Sequence, residues 1–369
     1  MKNNVRRRWI LLTALFLGND VFSQVTETGA FAGMRMNQLQ LIGSHNSYKP
    51  GIDPALWNII YYKDSAAALS LQYGHISIIE QLNLGLRNLE IDVVYDPQGG
   101  RYTNPVGLQW IKESGHTALP YDTAGELSKP GLKVMHVPGI DFRSHHLLFA
   151  DCLQALKQWS AMHPGHLPVF ITMNTKDEAA KGMPALLPFT KAALDSIDLE
   201  IRAVMTPNNL ITPDDVRGES SSLKKAILTK GWPLLDNVKG RFLFVLDETG
   251  EKMEAYKSGH SSLQKRVMFV NEKEGSEEAA FMIINNAKKD SMLIKQLVKK
   301  GYIIRTRADA NTTEARSNNY SSFEAAKNSG AQIITTDYYL PSTYFQSTYR
   351  VQFENGKYIR KNNLLTIKN

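Results

Sequence analysis

Eight short apolar runs limit what this chain can become. They fall at residues 39–42, 88–95, 132–137, 169–174, 242–246, 267–270, 302–305 and 332–335. Each has the length of a strand, and the second is apolar on both parities, as a strand buried on both faces must be. Helical patterns lie among them at 149–162, 187–204, 223–229, 291–300 and 321–328. Such alternation implies a parallel sheet with right-handed crossovers. Eight strands over 369 residues fit a (β/α)8 barrel. An open, doubly wound sheet is the alternative.

The chain begins with a segment of another kind. Lys2, Arg6, Arg7 and Arg8 precede an apolar stretch at 9–18, and Val21-Phe22-Ser23 fits a small-residue cleavage site. Residues 1–23 read as a secretory signal peptide, so the mature protein is expected to be secreted or periplasmic. The apolar stretch is too short to span a bilayer, and no later stretch has the length for it. The expected division is a barrel catalytic domain at 24–340 and a tail at 341–369. Asn355-Gly356 in that tail suggests a small hairpin packed on the barrel. Formal charge is +7, of which the leader (four basic residues and Asp20) carries +3 and the remainder +4. That balance favours an anionic membrane surface. With no dense Lys/Arg stripe, it is not the footprint of a nucleic-acid binder. Cys152 is the single cysteine, which excludes an intramolecular disulfide and a cysteine zinc cage. A monomer is expected.

In a barrel the C-terminal strand ends build the active site. His45 and Asn46 follow the first strand. Glu90 and Asp92 lie two apart in the second and so share a face. His136 ends the third, and Asn174, Lys176 and Asp177 end the fourth. Asp247 and Glu248, Asn271 and Glu272, then Arg305, Arg307 and Asp309, and finally Asp337 end the rest. A single strand-end histidine is more often a satisfied hydrogen-bonding group than a catalyst, and Glu-x-Asp is common on exposed strands. Here Leu89, Ile91, Val93 and Val94 bury the pair, where unpaired carboxylates are costly. A cation would neutralise them, and oxygen ligands from Glu90, Asp92 and Asn46 suit Ca2+, or less well Mg2+. With two histidines nearby, the set suits metal-assisted phosphodiester chemistry. His163-Pro164-Gly165-His166 precedes a strand and reads as a turn on the opposite face. Glu274, Glu277 and Glu278 read as a solvated helix start. The loops at 99–130 and 206–222 are expected to form the rim of the site. No nucleophile elbow, P-loop or dinucleotide fingerprint is present.

Several stretches carry a resemblance: Gln40-Leu41-Ile42-Gly43-Ser44-His45-Asn46-Ser47-Tyr48, Arg87-Asn88-Leu89-Glu90-Ile91-Asp92, Lys133-Val134-Met135-His136, Arg305-Thr306-Arg307-Ala308-Asp309 and Thr336-Asp337-Tyr338. Together they resemble the secreted, calcium-dependent phosphatidylinositol-specific phospholipase C family of bacterial and fungal type. The resemblance implies a distorted (β/α)8 barrel and cleavage of a phospholipid headgroup at a membrane surface. It implies His45 and His136 as the catalytic pair, with Asn46, Glu90, Asp92 and the strand-four position holding Ca2+. That last position, a Glu in the family pattern, is Asn174 here, which removes one negative charge, so that calcium affinity should fall or Asp177 should substitute. Within the resemblance His136 would be general acid and His45 would stabilise the phosphorane. Glu90 would be base as well as ligand, and Lys176 or Arg307 would bind phosphate or inositol hydroxyls. A glycerophosphodiester phosphodiesterase shares the barrel and the paired histidines, but there the first histidine precedes Arg-Gly rather than Asn46-Ser47. A non-catalytic lipid- or sugar-binding barrel is the second alternative, and Asn174 is its motive.

Overall fold

The computed structural model describes residues 29–365; the expected signal peptide lies outside the described residues. Ten strands form: β1 Leu39–Ser44, β2 Asn88–Val94, β3 Lys133–Val134, β4 Val169–Thr175, β5 Phe242–Leu246, β6 Phe269–Val270, β7 Phe281–Ile283, β8 Ile303–Arg307, β9 Ile333–Thr336 and β10 Ile359–Lys361. Eight of them are parallel neighbours in the order β6-β5-β4-β2-β1-β9-β8-β7. An Asn271–Phe281 bridge joins the two ends, and the Asn271 Oδ1 accepts the Ile283 N–H at 2.8 Å. The result is a nearly closed (β/α)8 barrel, which sets aside the open sheet. Residues such as Leu89, Ile91, Ile171, Phe244 and Ile304 are fully buried in its core.

Three expected elements are corrected. The run at 132–137 is not a barrel strand. Only Lys133 and Val134 are extended, and they pair antiparallel with Val94 and Val93 of β2. The run is apolar because Leu132 and Val134 join the main core while Met135 packs with Tyr102 and Leu127. The missing barrel strand is β7. Its three residues, following the turns at 274–278, are too short to stand out, and no helix starts at those glutamates. The loop at 206–222 is also misplaced, because Leu210 pairs with Phe242 at the start of β5, on the face away from the strand ends. The 99–130 excursion follows the C-terminal end of β2 and contains a helix, Val106–Glu113.

The barrel is distorted at the seam between β1 and β2. These strands share one register pair, Gly43 with Asn88. A Cβ at Gly43 would collide with the Asn88 side chain, so only glycine allows the approach. Below this point β10 covers the edge of β1, pairing antiparallel from Leu39–Lys361 to Leu41–Ile359. The tail reaches that position through a turn closed by the Phe353 N–H and the Lys357 carbonyl (2.7 Å). Above it the β2 edge is taken by the loop after β1 and then by β3.

Candidate active site

The loop after β1 is fastened to β2 by serines. Ser47 Oγ accepts the Glu90 N–H at 2.7 Å, and the Ser47 N–H donates to the Glu90 carbonyl at 3.0 Å. Ser44 and Ser47 hydroxyls meet at 2.6 Å, and Gln81 bridges Ser44 Oγ and the Ser47 carbonyl. Between the serines, Asn46 takes φ = 46°, a left-handed conformation that asparagine tolerates. This turn brings His45 to the mouth and folds Asn46 inward. The spacing Ser-His-Asn-Ser is therefore a mounting for both residues.

Each histidine has its own buried aspartate. His45 Nδ1 is 2.8 Å from Asp337 Oδ1, at the end of β9. His136 Nδ1 is 2.8 Å from Asp141 Oδ2, which the Val137–Asp141 turn brings back beneath it. Such partners hold each ring with Nδ1 protonated and leave Nε2 for chemistry. Lys49, completely buried, holds Asp141 at 3.0 Å and donates to the Leu71 and Tyr73 carbonyls. Burial pushes the Asp141 carboxyl up, but Lys49 and His136 outweigh it and keep it below the usual range. At His45, burial and then the Arg307 guanidinium, 3.3 Å from Nδ1, hold the imidazole well below its ordinary pKa, so it is neutral. Asp309 accepts the Asp337 N–H at 2.9 Å, and burial raises both of these carboxyls.

The carboxylate pair sits beneath His45, whose Nε2 is 3.4 Å from Glu90 Oε1. Glu90 Oε2 is ion-paired with Arg305, itself buried and bonded to Asn285 Oδ1 at 2.7 Å. Asp92 Oδ2 is 3.0 Å from Lys176 Nζ. The inner oxygens, Glu90 Oε1 and Asp92 Oδ1, converge on the Asn174 amide at 3.4 and 3.2 Å. Asn46 donates to Tyr73 OH (2.7 Å), while its Oδ1 receives only the Tyr48 hydroxyl at 3.4 Å. Asp247, 4.0 Å from Arg305, is pushed up to about 7 by burial and so borders the cluster about half protonated near neutral pH.

The structure thus gathers His45, Asn46, Glu90, Asp92, Asn174, Lys176 and Arg307 at one mouth, and His136 faces it from the β2–β4 connection. Asp177 turns away, taking Lys252 at 3.1 Å and the Phe189 N–H. His163 and His166 stay on the opposite face, the first stacked on Trp159 and the second tilted against it. Sequence reasoning did not single out Asp141, Lys49 or the pairing of Asp337 with His45. The Pro138-Gly139 turn just before Asp141 was a readable sign that this residue folds back, whereas no local pattern announces Lys49 or Asp337.

Fold and site together define a (β/α)8-barrel protein equipped for acid–base chemistry at the barrel mouth. The chain matches the family described as phosphoinositide phospholipase C, Ca2+-dependent, over residues 34–363, and it belongs to that family. Among solved structures it is similar to the calcium-dependent phosphoinositol-specific phospholipase C of a Pseudomonas species, in its apo form, myoinositol complex. Identity is 17%, coverage 90% of this chain and 97% of that one, and the TM-score 0.55. A second crystal form of that protein gives 17% and 0.53, with 90% and 96% covered. The Ca2+-dependent enzyme of Streptomyces antibioticus gives 16% and 0.47, with 83% and 95% covered. At these identities the likeness is one of fold. Curated protein sequences give no match.

The residues present fit the Ca2+ that the family implies. All donors are oxygens, and two buried carboxylate oxygens already point at one spot beside Asn174. Turned over, that amide offers its carbonyl to the same spot. With two protein charges here, and Arg305 and Lys176 already on the outer oxygens, the cluster would hold such a cation weakly.

Proposed function

We propose that the chain cleaves the glycerol–phosphate bond of phosphatidylinositol-type lipids, releasing diacylglycerol and inositol cyclic phosphate. The observation that carries this reading is the pair of histidines, each held by a separate buried aspartate, on either side of one carboxylate cluster. The inositol 2-hydroxyl lies beside the 1-phosphate, so the nucleophile is intramolecular and needs only deprotonation. Neutral His45 takes that proton at Nε2, and Asp337 and the ring together bear the charge. Both oxygens of Glu90 are already engaged, so the base role passes from Glu90 to His45. The 2-oxygen bonds to phosphorus as the bond to the glycerol oxygen breaks, and His136 Nε2–H protonates that oxygen. Arg307 and Lys176 bind phosphate or ring hydroxyls. Ca2+ held by Asn46, Glu90, Asp92 and Asn174 would supply positive charge to the phosphoryl oxygens and the attacking hydroxyl. Water can open the cyclic product with the two histidines exchanging roles.

With residues 1–23 acting as an export signal, the reaction takes place on lipid outside the cytoplasm. Among the described residues no helix is long and apolar enough to cross a membrane. Phosphorus NMR of the products tests the reading. A cyclic phosphate appearing first supports it, and direct release of glycerol phosphate refutes it in favour of a glycerophosphodiesterase.

A further inference from the structure

Beside His136 lies a cavity of about 310 Å³ that the chemistry above does not use. Three segments wall it. The turn after His136 gives Val137 and Pro138, the 99–130 excursion gives Val106, and the loop after β4 gives Ala180, Met183 and Leu186. All three follow C-terminal ends of strands, the excursion after β2, the turn after β3 and the loop after β4. The turn that forms one wall is the one whose Asp141 holds His136, and the loop that forms another follows directly from Lys176. The lining of the cavity therefore begins one residue after His136 and includes no residue of the carboxylate cluster. Arg101 is the one charged residue in its lining, and its guanidinium is bonded to the Ala185 carbonyl at 2.7 Å. At Gly139 a Cβ would sit 2.5 Å from Met183 Sδ and 3.2 Å from Val106 Cγ1, so the excursion, the turn and the loop close around a glycine.

We propose that this cavity receives the leaving group: the ester end of the diacylglycerol and the first carbons of one acyl chain. The inference rests on the proposed function, because it is His136 as acid that places the glycerol oxygen at the cavity's edge. A volume at the low end of ligand pockets suits one short chain segment rather than two full chains. An apolar lining without an acidic group suits an uncharged ester. The excursion thereby gains a role, since it selects the alcohol on the far side of the phosphate.

The test uses water-soluble inositol lipids as monomers. For the wild type, kcat/KM should rise about fourfold per methylene over the first few carbons beyond glycerophosphoinositol, the chainless substrate. In Ala180→Phe and Ala185→Phe, exposed loop positions where folding is safe, the ratio of dihexanoyl to chainless kcat/KM should fall at least tenfold. An unchanged ratio in both variants overturns the proposal. Independently of turnover, dihexanoylglycerol should bind the full chain in calorimetry and lose at least tenfold in affinity in the variants. Wild type that turns over no inositol lipid refutes the proposed function, and this binding result still judges the cavity. Absence of dihexanoylglycerol binding, or tighter binding of hexanoate at Arg101, overturns the assignment.

Discussion

Replacing Asp337 by asparagine tests the division of labour between the two histidines. The side chain is 1% exposed, with Oδ1 2.8 Å from His45 Nδ1, so Asp337→Asn keeps the volume and loses the charge. Proton transfer to His45 creates an imidazolium. A carboxylate about 4 Å from that charge contributes about 4 kcal/mol at an effective dielectric of about 20. That corresponds to roughly a thousandfold in kcat. Arg307, 3.9 Å from Asp337 Oδ2, opposes the imidazolium in both proteins and so does not restore the rate. The same change removes one of two adjacent buried carboxyls, Asp309 and Asp337, so stability should hold or rise. The assay is kcat, KM and thermal midpoint on a soluble inositol lipid. The expected result is a fall in kcat of two to four powers of ten, KM within a few-fold and an undiminished midpoint. A kcat within tenfold of wild type would refute the base role of His45, and a collapse of the midpoint would make Asp337 structural.

Other consequences follow from the same geometry. Asp141→Asn should lower kcat about a hundredfold while a substrate with a more acidic leaving alcohol recovers most of the loss; equal losses on both substrates would remove His136 as the acid. Asn174→Asp adds a third carboxylate and should tighten terbium or calcium binding at least tenfold by direct titration, and unchanged affinity would mean that the cation lies elsewhere. Arg305→Met strands the buried Glu90 charge and should cost about 3–5 kcal/mol in urea unfolding, with much of it recovered in a double variant carrying Glu90→Gln. His166 is held neutral by burial, at a pKa of about 4 against an ordinary 6.5. Below about pH 6.5 the unfolded chain takes up a proton that the folded one refuses, so stability falls as pH drops from 6.5 to 4. The full loss is about 3 kcal/mol, and His166→Gln should flatten that limb of the curve. An unchanged slope would exclude His166 as its source.

What the sequence made legible followed from local rules. Glu90 and Asp92 are two apart in a strand apolar on both parities, which required a common face and a neutralising partner. The partners proved to be Arg305 and Lys176, brought in by β8 and the end of β4, together with Asn174. His45 and His136 were readable as strand-end groups, although His136 stands on a turn rather than a barrel strand. Hydrophobic runs report burial, not pairing, so 132–137 looked like β4 does while serving the excursion. β7 went unseen for the converse reason, since three residues give no period. Asp337 needed the closure of the barrel, because nothing near it in the chain refers to His45.

His45 and Asp337 are 292 residues apart, and β1 has its parallel neighbour β9 and its cover β10 only from the last part of the chain. During synthesis at about 5–20 residues per second, β1 exists for roughly 15 s to a minute before β9 emerges. Through that interval it is an apolar strand with open edges, a form prone to wrong pairing. The His45–Asp337 pair therefore joins the first barrel strand to the end of the last. A chain with this order gains from being kept unfolded until it is complete, which is the state in which a chain is threaded across a membrane.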